Sequence, residues 1–213
     1  MKLKINEIFY SIQGESSYTG LPCVFIRLTY CNLRCSYCDS EYAFYEGRNM
    51  SFSDINTEIK KYPTKLAMIT GGEPLLQKKS VDLMQLLIED DYSVMLETSG
   101  SLSLENVPKE VIKIVDFKCP SSKMKHKNNW SILNDIDNKD EIKFVIGNEE
   151  DYNWSKSKIV KYNLNEKCQI LFSPIYGSID IKELCNWILN DGLNVRLQTQ
   201  LHKLIWGPDK KGV

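Results

Sequence analysis

The sequence predicts an α/β fold of parallel βα units around one sheet, open or curled into a barrel. Three observations predict it. Short apolar, β-branched runs alternate along the chain with longer amphipathic ones. Several short runs are apolar on both faces, as strands covered by helices on both sides are. No repeat, low-complexity segment or Pro/Ser-rich linker interrupts the 213 residues, so residues 1–213 read as a single domain.

The elements follow in order. "CVFIRLT" (Cys23 to Thr29) is the first predicted strand, apolar apart from Arg27. "SFSDINTEIKKY" is the first helix, and Ser51 with Asp54 carries its start signal. "LAMIT" (Leu66 to Thr70) is a strand, "SVDLMQLLIEDD" an amphipathic helix, and "SVMLET" (Ser93 to Thr98) the next strand. "IKIVDFK" (Ile112 to Lys118) and "EIKFVIG" (Glu141 to Gly147) are strands before a helical stretch from Glu149 to Tyr162. "QILFSP" (Gln169 to Pro174) is a strand. "IDIKELCNWILND" is a helix opened by Asp180 and Glu183, and "NVRLQT" (Asn194 to Thr199) is the last strand.

The unusual peptides fall at the ends of these strands. "TYCNLRC" follows the first, "TGGEP" the second, "TSG" the third, "KCPSS" the fourth, "SPIYG" the sixth and "QTQLHK" the last. In parallel α/β folds the carboxyl ends of the strands share one edge, and that edge carries the chemistry. Loops rich in Gly, Pro and Ser explain any one of these peptides. Six of them together with a cysteine cluster describe one continuous site.

Composition narrows the class. The formal net charge is −1, which gives no global electrostatic argument for nucleic acid or a membrane surface. No apolar run is long enough to span a bilayer, and the N-terminus turns polar too early for a signal peptide. The expectation is a cytoplasmic protein. Its seven cysteines are then reduced, and a tight cluster of them is metal-binding or catalytic.

Cys31, Cys35 and Cys38 form that cluster, with no fourth Cys or His nearby in sequence. Thiolates select zinc, copper(I) or iron–sulfur. Structural zinc wants four closed ligands, usually as two separated pairs. Three thiolates from one loop suit three irons of a [4Fe–4S] cluster and leave the fourth iron for a small molecule. A zinc-stabilised, non-catalytic binding module, closed by His126 or His202, is the alternative from another class. Cys23, Cys168 and Cys185 read as buried small apolar residues.

The Cys-x3-Cys-x2-Cys loop after a strand, with Tyr37 before its third cysteine and "GGEP" (Gly71 to Pro74) after the next strand, resembles the radical S-adenosylmethionine (SAM) superfamily. Within it, "EIFYSIQGESSYTG", "TGGEPLLQ", "LETSG", "KCPSS" and "VRLQTQLHKLIWGPDKKGV" resemble the 7-carboxy-7-deazaguanine synthase family, from Glu7 to the chain end, with the segment from Lys125 to Lys167 contributing little. The resemblance implies an incomplete TIM-like barrel with a radical SAM core and a short N-terminal substrate-binding extension. It implies a lyase of queuosine biosynthesis that contracts 6-carboxy-5,6,7,8-tetrahydropterin with loss of ammonia. It also implies a [4Fe–4S] cluster, SAM and Mg2+, an electron donor such as flavodoxin or ferredoxin, and a homodimer. Another radical SAM reaction, such as glycyl-radical activation, is the alternative among enzymes; "SIQGES" and "KCPSS" favour the deazaguanine branch.

Residue by residue, the resemblance implies that Cys31, Cys35 and Cys38 hold the cluster. Tyr37, Cys38 and Asp39 border SAM, and Gly72 and Glu73 meet its methionyl end. Ser99, Cys119, Pro120, Ser121, Ser173, Pro174, Ile175 and Tyr176 line the rest of it, Cys119 through its position and not its sulfur. Ser40 stands at a threonine position associated with magnesium. Ile12, Gln13, Gly14 and Glu15 form the pterin loop. Glu97 offers a second carboxylate, and Thr70 is a further candidate. Arg27 forks onto the substrate carboxylate, unless it pairs with a structural acid. His202 contacts substrate or is a satisfied structural residue, and Val213 reaches the pocket if the chain end folds over it. Ser16 stands where the family has glycine, which puts the loop backbone there in question.

Overall fold

Strands apolar on both faces must be covered on both sides. All seven of the expected strands enter one sheet. The computed structural model describes all 213 residues. Its strands are β1 (Lys2–Ile12), β2 (Pro22–Leu28), β3 (Arg48–Ser51), β4 (Leu66–Gly71), β5 (Ser93–Thr98), β6 (Ile112–Phe117), β7 (Glu141–Ile146), β8 (Gln169–Pro174) and β9 (Arg196–Leu197). The helices are α1 (Phe52–Ile59), α2 (Ser80–Glu89), α3 (Glu149–Tyr162), α4 (Ile181–Asp191) and α5 (Leu201–Trp206).

The sheet order is β3-β1-β2-β4-β5-β6-β7-β8-β9. From β2 to β9 every pairing is parallel, and β1 joins β2 and β3 antiparallel. The ends, β3 and β9, do not meet, so the barrel is incomplete. Two strands were absent from the expected set. β1 carries polar residues on both faces (Asn6 and Glu7 sit mid-strand), and β3 is only four residues long. The last strand shrinks to two residues, and "LHK", expected in a loop, opens α5 instead.

The helix-start signals act as their chemistry dictates. Ser51 and Asp54 form a reciprocal capping box, with Asp54 N donating to Ser51 Oγ at 3.1 Å and Ser51 N donating to Asp54 Oδ2 at 3.0 Å. Asp180 accepts from Lys182 N at 2.9 Å at the start of α4.

Alternation along each strand then sorts the side chains. Val24, Ile26 and Leu28 of β2, with Ala67 and Ile69 of β4 and Val94 and Leu96 of β5, join the main core under the helices. The opposite face has a smaller apolar cluster of Cys23, Leu66, Met68, Met95, Ile112 and Ile114. On that same face, two or four residues further along, come Arg27, Thr70, Glu97 and Asp116. The inner face is apolar at its base and polar at the carboxyl ends of the strands. That polar rim is where the site forms.

Candidate active site

The rim encloses a cavity of about 800 Å³ lined by residues from most of the strands and their following loops. All three clustered cysteines line it. They are free thiols, each half-buried. Their loop is tied down on several sides. Leu33 N donates to Cys31 Sγ at 3.4 Å, and Cys38 N donates to Cys35 O at 3.3 Å. Ser36 donates to the loop after β6 twice, from N to Ser122 O at 3.1 Å and from Oγ to Ser121 O at 2.5 Å. Gly72 packs beneath the first cysteine, where a β-carbon would come within 2.6 Å of Cys31 Cβ. Burial pushes Cys31 up and Cys35 up to about 11, so these thiols stay protonated until iron displaces the protons.

The donor set fits a [4Fe–4S] cluster. No three His, Cys, Asp or Glu side chains converge on one point as a single ion requires. In a cubane each thiolate binds its own iron, so that convergence is not needed. The wall also carries unmet polar capacity. Tyr37 Oη and Asp116 Oδ1 are buried without a hydrogen-bond partner, and both residues line the cavity. A polar ligand there satisfies them.

Glu73 is fully buried and absent from the cavity wall. Its carboxylate accepts from Ser99 N at 2.8 Å, Ser99 Oγ at 2.6 Å, Thr98 Oγ1 at 2.9 Å and Leu75 N at 3.1 Å. It thereby fixes Ser99, which does line the cavity, against the glycine turn. Cys119, Pro120 and Ser121 also sit behind the wall. The Cys119 thiol lies 3.4 Å from Ser155 Oγ, and Ser121 N donates to Asp151 Oδ1 at 2.8 Å. Their part is to hold the cysteine loop through Ser36. Ser173, Pro174, Ile175 and Tyr176 line the cavity, as do Tyr37, Asp39, Ser40, Thr70 and Gly72.

One lysine organises the floor. Lys143 of β7 is buried, with Nζ 2.7 Å from Glu15 Oε2, within bonding reach of Glu97 Oε1 and 3.8 Å from Asp116 Oδ2. Burial alone pushes its pKa down, but the three carboxylates outweigh this and hold it well above its usual value. Burial pushes Glu15 up, yet Lys143 and Gln200 overcome this and keep it below its ordinary value. Glu97 stays raised, through burial and the nearby charge of Glu15, despite Lys143. The sequence reading missed Lys143. Its signal was a charged pair, Glu141 and Lys143, on one face of an otherwise apolar strand.

Arg27 faces Glu7 across the β1–β2 ladder, and its Nε donates to Glu7 Oε1 at 2.7 Å. Tyr42 Oη donates to the same oxygen at 2.9 Å. The two terminal guanidinium nitrogens have no protein partner, and the residue lines the cavity. Phe9 and Phe25 stack beside it with ring centroids 4.8 Å apart.

Ile12, Gln13, Gly14 and Glu15 all line the cavity. Leu201 N donates to Gly14 O at 3.0 Å, and Gln200 Nε2 donates to Glu15 Oε1 at 2.9 Å. Ser16 does adopt φ +68°, the left-handed conformation that glycine favours. Bonds hold it there: Ser16 N donates to Gln198 Oε1 at 2.9 Å, and Ser16 Oγ accepts from Tyr18 N at 3.1 Å. His202 and Val213 line the cavity too, with residues Pro208 to Gly212 between them in the chain also on the wall. Asp39 joins this segment to the cysteine loop, accepting from Lys203 Nζ at 2.7 Å. Burial works against its charge, but Lys203 holds its carboxyl down at about 2.

Comparison with known proteins accords with this geometry. Residues 25–117 match the radical SAM superfamily model. The crystal structure of QueE from Escherichia coli superposes with a TM-score of 0.79 over 95% of each chain, at 24% identity, and shares the fold. A 7-carboxy-7-deazaguanine synthase of Koribacter versatilis is 46% identical over 226 residues, covering 99% of this chain and 100% of that one. The chain belongs to the 7-carboxy-7-deazaguanine synthase family. A synthase of Chlorobaculum tepidum is 42% identical, covering 99% of this chain and 97% of that one. The protein is therefore a radical SAM enzyme whose cofactors are a [4Fe–4S] cluster and SAM. No helix is long and apolar enough to cross a membrane.

Proposed function

We propose that this synthase takes 6-carboxy-5,6,7,8-tetrahydropterin and releases 7-carboxy-7-deazaguanine and ammonia, with Mg2+ as a third cofactor held at Ser40. The observation that carries the substrate is that the cavity wall offers groups of both charges. Arg27 lines it with two free guanidinium nitrogens. Glu15 and Glu97, paired with Lys143, line it with carboxylates. A pterin carboxylate matches the first and the amidine edge of the ring matches the second.

Each residue then has a task. Arg27, pre-oriented by Glu7, forks onto the substrate carboxylate. The Phe9–Phe25 stack gives the flat ring an apolar wall. The backbone of Ile12 to Gly14, with Glu15, Thr70 and His202, fixes its in-plane orientation. Cys31, Cys35 and Cys38 hold the cluster. Tyr37, Asp39, Gly72, Ser99 and Ser173 to Tyr176 surround SAM, and Glu73 sets Ser99 from behind. Together the bound cluster and SAM supply a carbon radical that takes hydrogen from an unactivated C–H bond. The protein's share is orientation and the exclusion of water. Family likeness further supports a homodimer in the cytoplasm that draws electrons from a flavodoxin or ferredoxin.

The test is one anaerobic reaction. Reconstituted brown protein is mixed with reductant, SAM, Mg2+ and the tetrahydropterin, and the products are weighed by mass spectrometry. The deazapurine is expected, and a Cys35→Ala protein should make none. Formation of 5′-deoxyadenosine without the deazapurine would remove the substrate assignment. Colourless protein with stoichiometric zinc would remove the cluster.

A further inference from the structure

Five residues other than glycine adopt a positive φ: Ser16, Tyr30, Asp91, Lys123 and Asn163. Three of them end helical segments, where a left-handed residue is an ordinary terminator. Asp91 lies just past α2, Lys123 closes the short turn Pro120–Ser122, and Asn163 caps α3. Ser16 is short, polar and part of the pterin loop. Tyr30 differs from all four. It follows a strand, β2, and it carries an aromatic side chain at φ +83°. A bulky residue at such a φ is a backbone outlier, and strain of this kind persists only where the surroundings over-determine it.

The surroundings of Tyr30 do so. Tyr30 N donates to Ala43 O at 2.9 Å, and Tyr30 O accepts from Glu73 N at 2.7 Å. One residue earlier, Thr29 N donates to Lys4 O at 3.0 Å, and Thr29 O accepts from Gln77 Nε2 at 3.0 Å. Gln77 is itself fixed to β1, its Oε1 accepting from Lys4 N at 2.8 Å and its Nε2 donating to Lys4 O at 2.9 Å. The ring has no comparable task. It is exposed and absent from the cavity wall, with Lys4 Nζ 4.9 Å from its centroid. The strain serves the residue that comes next. The Tyr30 carbonyl lies over Gly72, where a β-carbon would come within 2.4 Å of that oxygen and 2.6 Å of Cys31 Cβ. The peptide between Tyr30 and Cys31 is thus seated on the glycine turn, and Cys31 lines the cavity.

We propose that Tyr30 is a positioning residue for the first cluster cysteine, acting through its left-handed backbone and not through its ring. This rests on the reading that Cys31, Cys35 and Cys38 hold a [4Fe–4S] cluster. An extended residue at this point would carry the chain straight on from β2 and turn Cys31 off its glycine seat. The strain is borne by the iron-free chain, so the first thiol is in place before iron arrives.

The experiment compares substituted proteins without substrate, so its readout is iron and not turnover. Each protein is reconstituted anaerobically, its iron and sulfide are measured, and release of ferrous iron to the chelator ferrozine is timed. Thermal unfolding of the iron-free proteins is followed alongside. Tyr30→Asn removes the ring and keeps ready access to positive φ, and it should release iron at the wild-type rate. Tyr30→Val puts a β-branched side chain there, and it should release iron about fivefold faster or more. The iron-free Tyr30→Val protein should unfold close to the wild-type temperature, because letting residue 30 relax offsets the bonds it gives up. Equal release from Tyr30→Val and wild type, whatever the iron-free stability, would overturn the proposal. Release from Tyr30→Asn as fast as from Tyr30→Val would assign the effect to the ring and overturn it too. Should Tyr30→Val fail to fold, Tyr30→Ala against Tyr30→Asn decides by the same rates, with faster release expected from Tyr30→Ala. Wild-type protein that takes up no iron and sulfide removes the cluster reading itself, and the proposal with it.

Discussion

Gly14 lies directly against the ring of His202. A β-carbon on Gly14 would overlap His202 Nδ1 and come within 3.2 Å of the His202 amide nitrogen. The loop that follows β1 and the helix α5 are thus bolted together at one point, with Leu201 N donating to Gly14 O.

Gly14→Ala should therefore destabilise the protein by about 1–3 kcal/mol, the usual cost of forcing a methyl into a filled site. Thermal unfolding measures it. A Gly14→Ala/His202→Ala protein should recover most of the loss. If it does not, the clash lies with backbone and not with the ring.

Removing the charge at Glu73 should cost stability before it costs SAM affinity. Glu73→Gln turns an NH2 donor toward donors from Ser99 and Thr98 and leaves at least one buried group unpaired. About 2–4 kcal/mol is expected in denaturant unfolding. A stable Glu73→Gln protein with weakened SAM binding would instead place the carboxylate against the cofactor.

Lys143→Met should leave Glu15 and Glu97 facing each other without a shared cation. Breaking a buried ion pair on one side costs about 3–5 kcal/mol. Lys143→Met/Glu97→Gln should regain part of it, because one of the two stranded charges is gone. Urea unfolding of the three proteins decides this.

Arg27→Ala should raise the Kd for the tetrahydropterin about a hundredfold, the equivalent of one to two charge-assisted hydrogen bonds. A substrate analogue lacking the carboxylate should bind both proteins alike. Calorimetry with each ligand separates a clamp from a structural partner of Glu7.

His202 gives a pH dependence of definite sign. Burial pushes its pKa below the ordinary 6.5, only partly opposed by the charge of Glu15. The unfolded chain then binds more protons than the native one, so stability falls as pH drops from about 7 through 6.5 and below. The loss should shrink in His202→Gln. An NMR midpoint for His202 above 6.5 would reverse the assignment.

How far the sequence alone reached can be argued from particular residues. Strands β2 and β4 to β8 were legible because each is an apolar run closed by a turn peptide. β1 was not, because a strand with polar residues on both faces has no clear period of two. The cysteines, the glycine turn and the pterin loop were visible as motifs. The position of Glu73 behind the wall was not, since a motif names a residue without saying which way its side chain turns. Lys143 was hidden for a related reason: its partners, Glu15, Glu97 and Asp116, come from three other parts of the chain. Only the folded register brings them around one nitrogen.

The inner face of the sheet is apolar at its base and polar at its rim, and β4, β5 and β6 each supply both zones from positions two residues apart. Met68 belongs to the base and Thr70 to the rim; Met95 and Glu97 repeat the arrangement. Mutational drift can therefore act on the two zones separately. A lineage can exchange Thr70 or Glu97, and so try a new small molecule, while Met68 and Met95 go on supporting the barrel. Inherited architecture and acquired chemistry lie one pleat apart on the same strand.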